Sequence, residues 1–300
     1  MRSLLFVPAD DEKKLAKSLS AGADALIVDL EDSVALAAKP RARQIAAEFL
    51  AAAAKSAEQP LLIVRVNPLA GDLTDLDLDA VMPARPDCVM LPKSLGGASV
   101  QQLSVKIAAR EARNDLPDGA TQIIALATES GEAIFGLSSY RKCSRRLAGL
   151  TWGGEDLSAD LGAQANRLGD GAWAGPYALA RNLTLFAAAA AEVAAIDTVF
   201  VNFRDAEGLR AEALAARRDG FTAKMAIHPT QVPIINEVFT PTDEDLAKAE
   251  AVIAAFAARP SAGVVAIDGE MVDLPHLKRA QRVLARATGA SVSQSERGRG

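Results

Sequence analysis

The sequence predicts an α/β fold, a closed (β/α)8 or TIM barrel followed by a C-terminal helical extension. Three observations carry the prediction. About eight apolar runs of strand length recur over the barrel region, they are apolar throughout instead of alternating, and helix-forming stretches lie between them. Strands covered on both faces read this way, as in a parallel sheet. An open doubly wound sheet usually has fewer strands and a Gly-rich first turn, and no GxGxxG is present.

In order, the runs are SLLFV (3–7), ALIVD (25–29), LLIVRV (61–66), CVMLP (88–92), QIIALAT (122–128), AGLTW (148–152), IDTVFV (196–201) and AKMAI (223–227). Stretches such as ALAAKPRARQIAAEFLAAAAKS and ASVQQLSVKIAAREAR separate them, with apolar residues at helical spacing. Proline marks several strand ends, at Val7-Pro8, Leu91-Pro92 and His228-Pro229, where the missing N–H ends the ladder. The barrel is expected over residues 1–258, closing with the acid-headed helix TDEDLAKAEAVIAAFAARP. The extension, 259–288, reads as a short strand, a turn at Asp268-Gly269, and a helix with Asp273 and Pro275 at its beginning. The tail 289–300 has almost no apolar content and is expected to be disordered.

Composition removes several function classes. Among 300 residues, 33 Lys+Arg against 38 Asp+Glu give a net charge of −5 without long one-sign blocks, which argues against a grip on nucleic acid or an anionic membrane surface. No stretch approaches the roughly 18 apolar residues of a membrane span, and Pro8 cuts the N-terminal apolar run short of a signal-peptide core. Cys88 and Cys143 form no metal or redox pair, which fits a reducing, cytoplasmic setting.

In such a barrel the loops after the strands share one face, so polar residues at strand C-termini converge. Those residues are Asp29, Glu31 and Asp32 after the second strand, Arg65 and Asn67 at the third, Lys93 after the fourth, Glu129 after the fifth, Glu155 and Asp156 after the sixth, and His228 after the eighth. Glu129 and Asp156 follow neighbouring strands, and two such carboxylates suit a hard divalent cation whose other positions are filled by water and substrate oxygens. Helix capping accounts for the same two residues equally well. Arg65, buried at a strand end, calls for an anion, either a bound ligand or Glu31 or Glu129 in a salt bridge. Lys93 is expected to face solvent, although a desolvated lysine there could form a Schiff base. His228 and His276 are the two histidines, and no GxSxG accompanies either.

The segments RSLLFVPAD, DALIVDLEDSV, RVNPL, VMLPKS, ALATESGEAI, LAGLTWGGEDLSADLGA, KMAIHPTQVPIINEVFTPT and GEMVDLPHLKRAQRVL, taken together, resemble the citrate lyase beta-subunit-like family of magnesium-dependent carbon-carbon lyases, related to the malyl-CoA lyases. The resemblance spans about residues 2–288 and implies a homotrimer or homohexamer. It implies Mg²⁺ on Glu129 and Asp156, with Glu129 also touching substrate, and Arg65 on the substrate carboxylate and keto or hydroxyl oxygens. It gives Asp29 and Glu31 a role in holding metal-bound waters. It also implies that Asp273 reaches a neighbouring subunit's site and transfers protons. Pro8-Ala9-Asp10 departs from the Pro-Gly-Asn common in relatives, at the loop implied to meet the CoA phosphates.

The expected activity is Mg²⁺-dependent cleavage of a 3-hydroxyacyl-CoA thioester of the malyl, citramalyl or citryl type into acetyl-CoA and a 2-oxo acid, or the reverse. The alternatives are a malyl-CoA thioesterase or malate-synthase-like activity, a citrate lyase beta subunit acting on a carrier-bound acyl group, and a noncatalytic carrier-binding component.

Overall fold

The computed structural model describes residues 1–53, 59–267 and 269–287. The expected disordered tail and Asp268 of the expected turn lie outside the described residues. The chain order is β1 (Ser3–Pro8), α1 (Glu12–Ser18), β2 (Ala25–Asp29), α2 (Lys39–Ala53), β3 (Leu61–Arg65), α3 (Leu73–Val81), β4 (Cys88–Leu91), α4 (Gly97–Arg113), β5 (Gln122–Leu126), α5 (Gly131–Gly136), β6 (Leu147–Thr151), α6 (Gly154–Asp160), α7 (Gly175–Ala191), β7 (Ala194–Asp197), α8 (Ala206–Asp219), β8 (Ala223–Ala226), α9 (Gln231–Phe239), α10 (Asp243–Ala257), β9 (Val264–Ile267), β10 (Glu270–Asp273) and α11 (Leu274–Ala287). Strands β1 to β8 pair in sequence order, all parallel, and β1 closes on β8.

Side-chain parity explains why continuous apolar runs build this barrel. Leu4, Ala25, Ile27, Ile63, Met90, Ile124, Ile196 and Met225 point inward and fill the lumen. Their sequence neighbours, among them Leu5, Leu26, Val28, Val64 and Val89, are also buried, as expected of strands with helices outside them. The same parity places Asp29 two residues beyond Ile27 and Arg65 two beyond Ile63, directly opposite each other in register at the end of the lumen.

Seven of the eight expected strands lie within a residue or two of their expected ends. The seventh is shifted. IDTVFV was expected at 196–201, and the strand covers Ala194–Asp197. The carbonyls beyond it are used by side chains instead of a ladder: Lys224 Nζ donates to Thr198 O at 2.8 Å and Gln231 Nε2 to Phe200 O at 2.7 Å. The buried Lys224 ammonium also meets Asp197 Oδ2 at 2.7 Å and Glu212 Oε1 at 2.8 Å, tying β7, β8 and α8 together behind the lumen.

Contacts divide the chain into two compact units, Met1–Asn236 and one beginning at Glu237. The sequence reading carried the barrel to 258, whereas α10 packs with the following segment. Phe256, Val265 and Val272 make a small core there, with Val252, Ile267 and Leu277 against it. Within this second unit β9 and β10 form an antiparallel pair, so the extension holds two strands where one was expected. Gly269, at φ +86°, occupies the connecting turn, where a residue with a Cβ would be strained.

Candidate active site

Five of the six residues to which the resemblance gives a role, Asp29, Glu31, Arg65, Glu129 and Asp156, share the C-terminal end of the barrel. Arg65 lies over the Phe6 ring and binds Asp29 bidentately, Nε to Oδ1 and Nη2 to Oδ2, both at 2.7 Å. Asp29 also accepts the backbone N–H of Glu31 at 2.9 Å, which turns the chain so that the Glu31 carboxylate comes back over Arg65. Arg65 Nη1 is 2.7 Å from Glu31 Oε2, yet that oxygen accepts no aligned hydrogen bond. The fork therefore spends two of its five N–H donors on Asp29 and keeps others for an anion. The salt bridge expected of Arg65 is present, with Asp29 added to Glu31 as partner.

Lys93 holds the second half together: its side chain is 39% exposed, as expected, and its ammonium is also paired with carboxylates of the site. Its backbone N–H donates to Glu129 Oε2. Its ammonium is 2.6 Å from Glu31 Oε1, 3.4 Å from Asp156 Oδ1 and 3.6 Å from Asp32 Oδ1. Lys93 has φ +49°, an uncommon conformation for a residue with a side chain and one that concentrates at functional sites. The signal readable from sequence was position: it follows Leu91-Pro92 at the end of a barrel strand, where functional groups collect.

Neither carboxylate makes a side-chain cap: Ser130 caps α5, its hydroxyl accepting from Ala133 N, and Gly153, the N-cap of α6, leaves that helix without one, while Asp156 lies in the first turn of α6, where negative charge is favourable. Gly153 gives Glu129 room, because a Cβ there would stand 3.0 Å from Glu129 Cγ, a tight contact.

The electrostatics follow from burial. Glu129 is 5% exposed and Glu31 4%. Burial, joined by repulsion from Glu31 and Asp156, pushes Glu129 up to about 8. Burial and the neighbouring Asp32 push Glu31 up to about 7 against the pull of Arg65 and Lys93. Asp29 is buried too, but the Arg65 hydrogen bonds and charge outweigh that burial and hold it below the usual carboxylate range. Lys39 stands behind the loop, its ammonium donating to the Leu30 and Glu31 carbonyls at 2.7 and 2.8 Å. Ionised, the carboxylates of Asp29, Glu31, Asp32, Glu129 and Asp156 against Arg65, Lys93 and Lys39 leave −5 + 3 = −2.

Among the described residues no three His, Cys, Asp or Glu side chains form a ready metal cage. That is compatible with a magnesium-type site, in which one or two carboxylates are completed by waters and substrate oxygens. The hard oxygen donors of Glu129 and Asp156, and the negative charge that raises Glu129, fit such an ion. Asp273 belongs to the second unit, where it directly precedes α11 and its Oδ1 is 2.5 Å from His276 Nδ1. This contact, on an exposed surface, holds Asp273 below the usual range. No helix among the described residues is long and apolar enough to cross a membrane.

Comparison with known proteins agrees with this geometry. Residues 2–229 match the model of the HpcH/HpaI aldolase/citrate lyase family, and residues 176–292 match that of the C-C bond lyases of the TIM-barrel fold. Citrate lyase subunit beta of Leuconostoc mesenteroides subsp. cremoris is 34% identical, over 98% of this chain and 96% of that protein. Mitochondrial citramalyl-CoA lyase of Mus musculus is 33% identical, over 96% and 86%. The crystal structure of the protein CitE of Mycobacterium tuberculosis in complex with magnesium, acetoacetate and coenzyme A superposes with a TM-score of 0.75 at 33% identity, over 96% of this chain and 98% of that one. The matched span, residues 2–229, runs the length of the barrel, and the chain belongs to the HpcH/HpaI aldolase/citrate lyase family.

Proposed function

We propose that the protein is a Mg²⁺-dependent carbon-carbon lyase that cleaves a malyl-, citramalyl- or citryl-type 3-hydroxyacyl-CoA thioester into acetyl-CoA and a 2-oxo acid, or runs the reverse condensation. The observation that carries it is the pairing, at one end of the barrel, of an arginine fixed by Asp29 with the buried Glu129 and the half-exposed Asp156, joined through Lys93. Glu129 and Asp156 would hold Mg²⁺, which supplies Lewis acidity at the oxygen destined for the 2-oxo group.

Arg65, held rigid on its Asp29 side, presents its remaining donors to the substrate carboxylate and to negative charge that develops as the C2–C3 bond breaks. Asp29 acts through Arg65, and both it and Glu31 would hold waters bound to the metal. Burial of Asp29, Glu31 and Glu129 strengthens the interactions that these carboxylates make. In cleavage the 3-hydroxyl gives up its proton as that oxygen becomes the 2-oxo group, and the acetyl fragment, leaving as an enolate, takes one at C2; in the reverse condensation C2 gives a proton up. We assign the C2 proton transfer to Asp273 of a neighbouring subunit in a homotrimer or homohexamer, whose ionised carboxylate accepts that proton in the condensation direction. Calorimetry tests the site: Mg²⁺ binding in the presence of a 2-oxo acid should disappear in both Glu129→Ala and Asp156→Ala. Binding unchanged in either removes that residue from the site.

A further inference from the structure

We infer that Lys93 is a built-in counter-ion that competes with the divalent cation for Asp156 and gives up its pairing with Glu31 when displaced, so that metal affinity is set by how readily its ammonium moves away. The inference rests on the Mg²⁺ reading above and concerns what this chain's own lysine does toward that ion.

The geometry separates the backbone and side-chain roles of Lys93. Its main chain is fixed, because it follows Pro92, sits at φ +49° and gives its N–H to Glu129. Its side chain is a flexible stem ending in a compact charge, 2.6 Å from Glu31 and 3.4 Å from Asp156. The ammonium can therefore swing away while the tie that orients Glu129 stays in place. Arg65 cannot do the same, being held by two aligned bonds to Asp29, and Lys39 is committed to two backbone carbonyls.

Competition follows from the shared oxygens. Mg²⁺ demands close, near-octahedral oxygen contacts, and an Asp156 oxygen that faces an ammonium at 3.4 Å cannot also meet that demand without bringing two cations within a few ångströms of each other. The displaced ammonium gives up Glu31 and Asp156, and that loss is subtracted from the metal's binding energy. Removing the ammonium while keeping the backbone should tighten metal binding, the opposite of what is expected for a residue that merely supports the ligands.

The probe is Mn²⁺ alone, titrated into the full-length protein and followed by the electron paramagnetic resonance of the free ion, with Mg²⁺ then used in competition. Lys93→Met should bind Mn²⁺ at least about tenfold more tightly than the parent, a change of about 1.4 kcal/mol. Lys93→Arg, which keeps the charge, should bind no more tightly than the parent. If Lys93→Met fails to fold, Lys93→Gln takes its place with the same expectation. Equal or weaker binding by the neutral variant while the parent binds Mn²⁺ overturns the counter-ion role and leaves the metal site standing. Tightening by Lys93→Arg as large as that by Lys93→Met overturns charge competition. Absence of binding in the parent and in both neutral variants overturns the metal site and this inference together.

Discussion

Replacing Glu129 by glutamine should make the metal-free barrel more stable at pH 8 while leaving it nearly unchanged at pH 5. Burial first, and then the charges of Glu31 and Asp156, raise this carboxyl from 4.5 to about 8 in the folded chain. Between those values the native state keeps a proton that the unfolded chain releases. Stability from this group is thus complete below pH 4.5 and is lost as pH rises toward 8. Each pH unit corresponds to about 1.4 kcal/mol, so the loss reaches at most about 5 kcal/mol at pH 8. Glutamine carries no proton to lose, and its amide oxygen can still accept the Lys93 N–H. The assay is urea unfolding in chelator, read by tryptophan fluorescence, since Trp152 and Trp173 both lie in the first compact unit. The parent should lose several kcal/mol between pH 5 and 8 relative to Glu129→Gln, and Mg²⁺ should restore the parent at pH 8 but not the variant. Parallel pH profiles for the two proteins in chelator would refute the reasoning.

Arg65→Lys should lower kcat/KM by roughly 100-fold, because one ammonium cannot both replace the fork on Asp29 and bind a carboxylate in plane; full activity would leave Arg65 a salt-bridge residue only. Gly153→Ala should weaken Mn²⁺ binding several-fold by pushing on Glu129 Cγ at 3.0 Å, while unfolding midpoints move little, and unchanged affinity would show that Glu129 can shift without cost. Inactive Asp273→Ala protein mixed with inactive Glu129→Ala protein should regain part of its activity once subunits exchange. No recovery after verified exchange would exclude a shared site, and a fully active Asp273→Ala protein would remove Asp273 from the chemistry.

The strands were legible because burial on both faces leaves no room for polar residues, so ALIVD and CVML could hardly be anything else. β7 was misplaced because its apolar run continues through Thr198–Val201, while the ladder stops where Lys224 and Gln231 take the carbonyls. Those side chains lie 26 and 31 residues further along, beyond the reach of any local pattern. The site's carboxylates and Arg65 were legible from their places at strand ends. So was Lys93 as an exposed strand-end lysine, but its ion pairs were not, since only the fold brings Glu31, Asp32 and Asp156 around it. Spacing also left capping and metal binding level for Glu129 and Asp156; the hydroxyl of Ser130 and the start of α6 without a side-chain cap argue against a cap made by either side chain.

The most direct test of the account is to incubate the purified protein with malyl-, citramalyl- and citryl-CoA, in Mg²⁺ and in chelator, and to follow acetyl-CoA and the 2-oxo acid together. The account predicts that at least one thioester yields the two products in equal amounts, only with Mg²⁺, and not in Glu129→Ala. Free CoA released without a 2-oxo acid, or no turnover of any of the three, would contradict it.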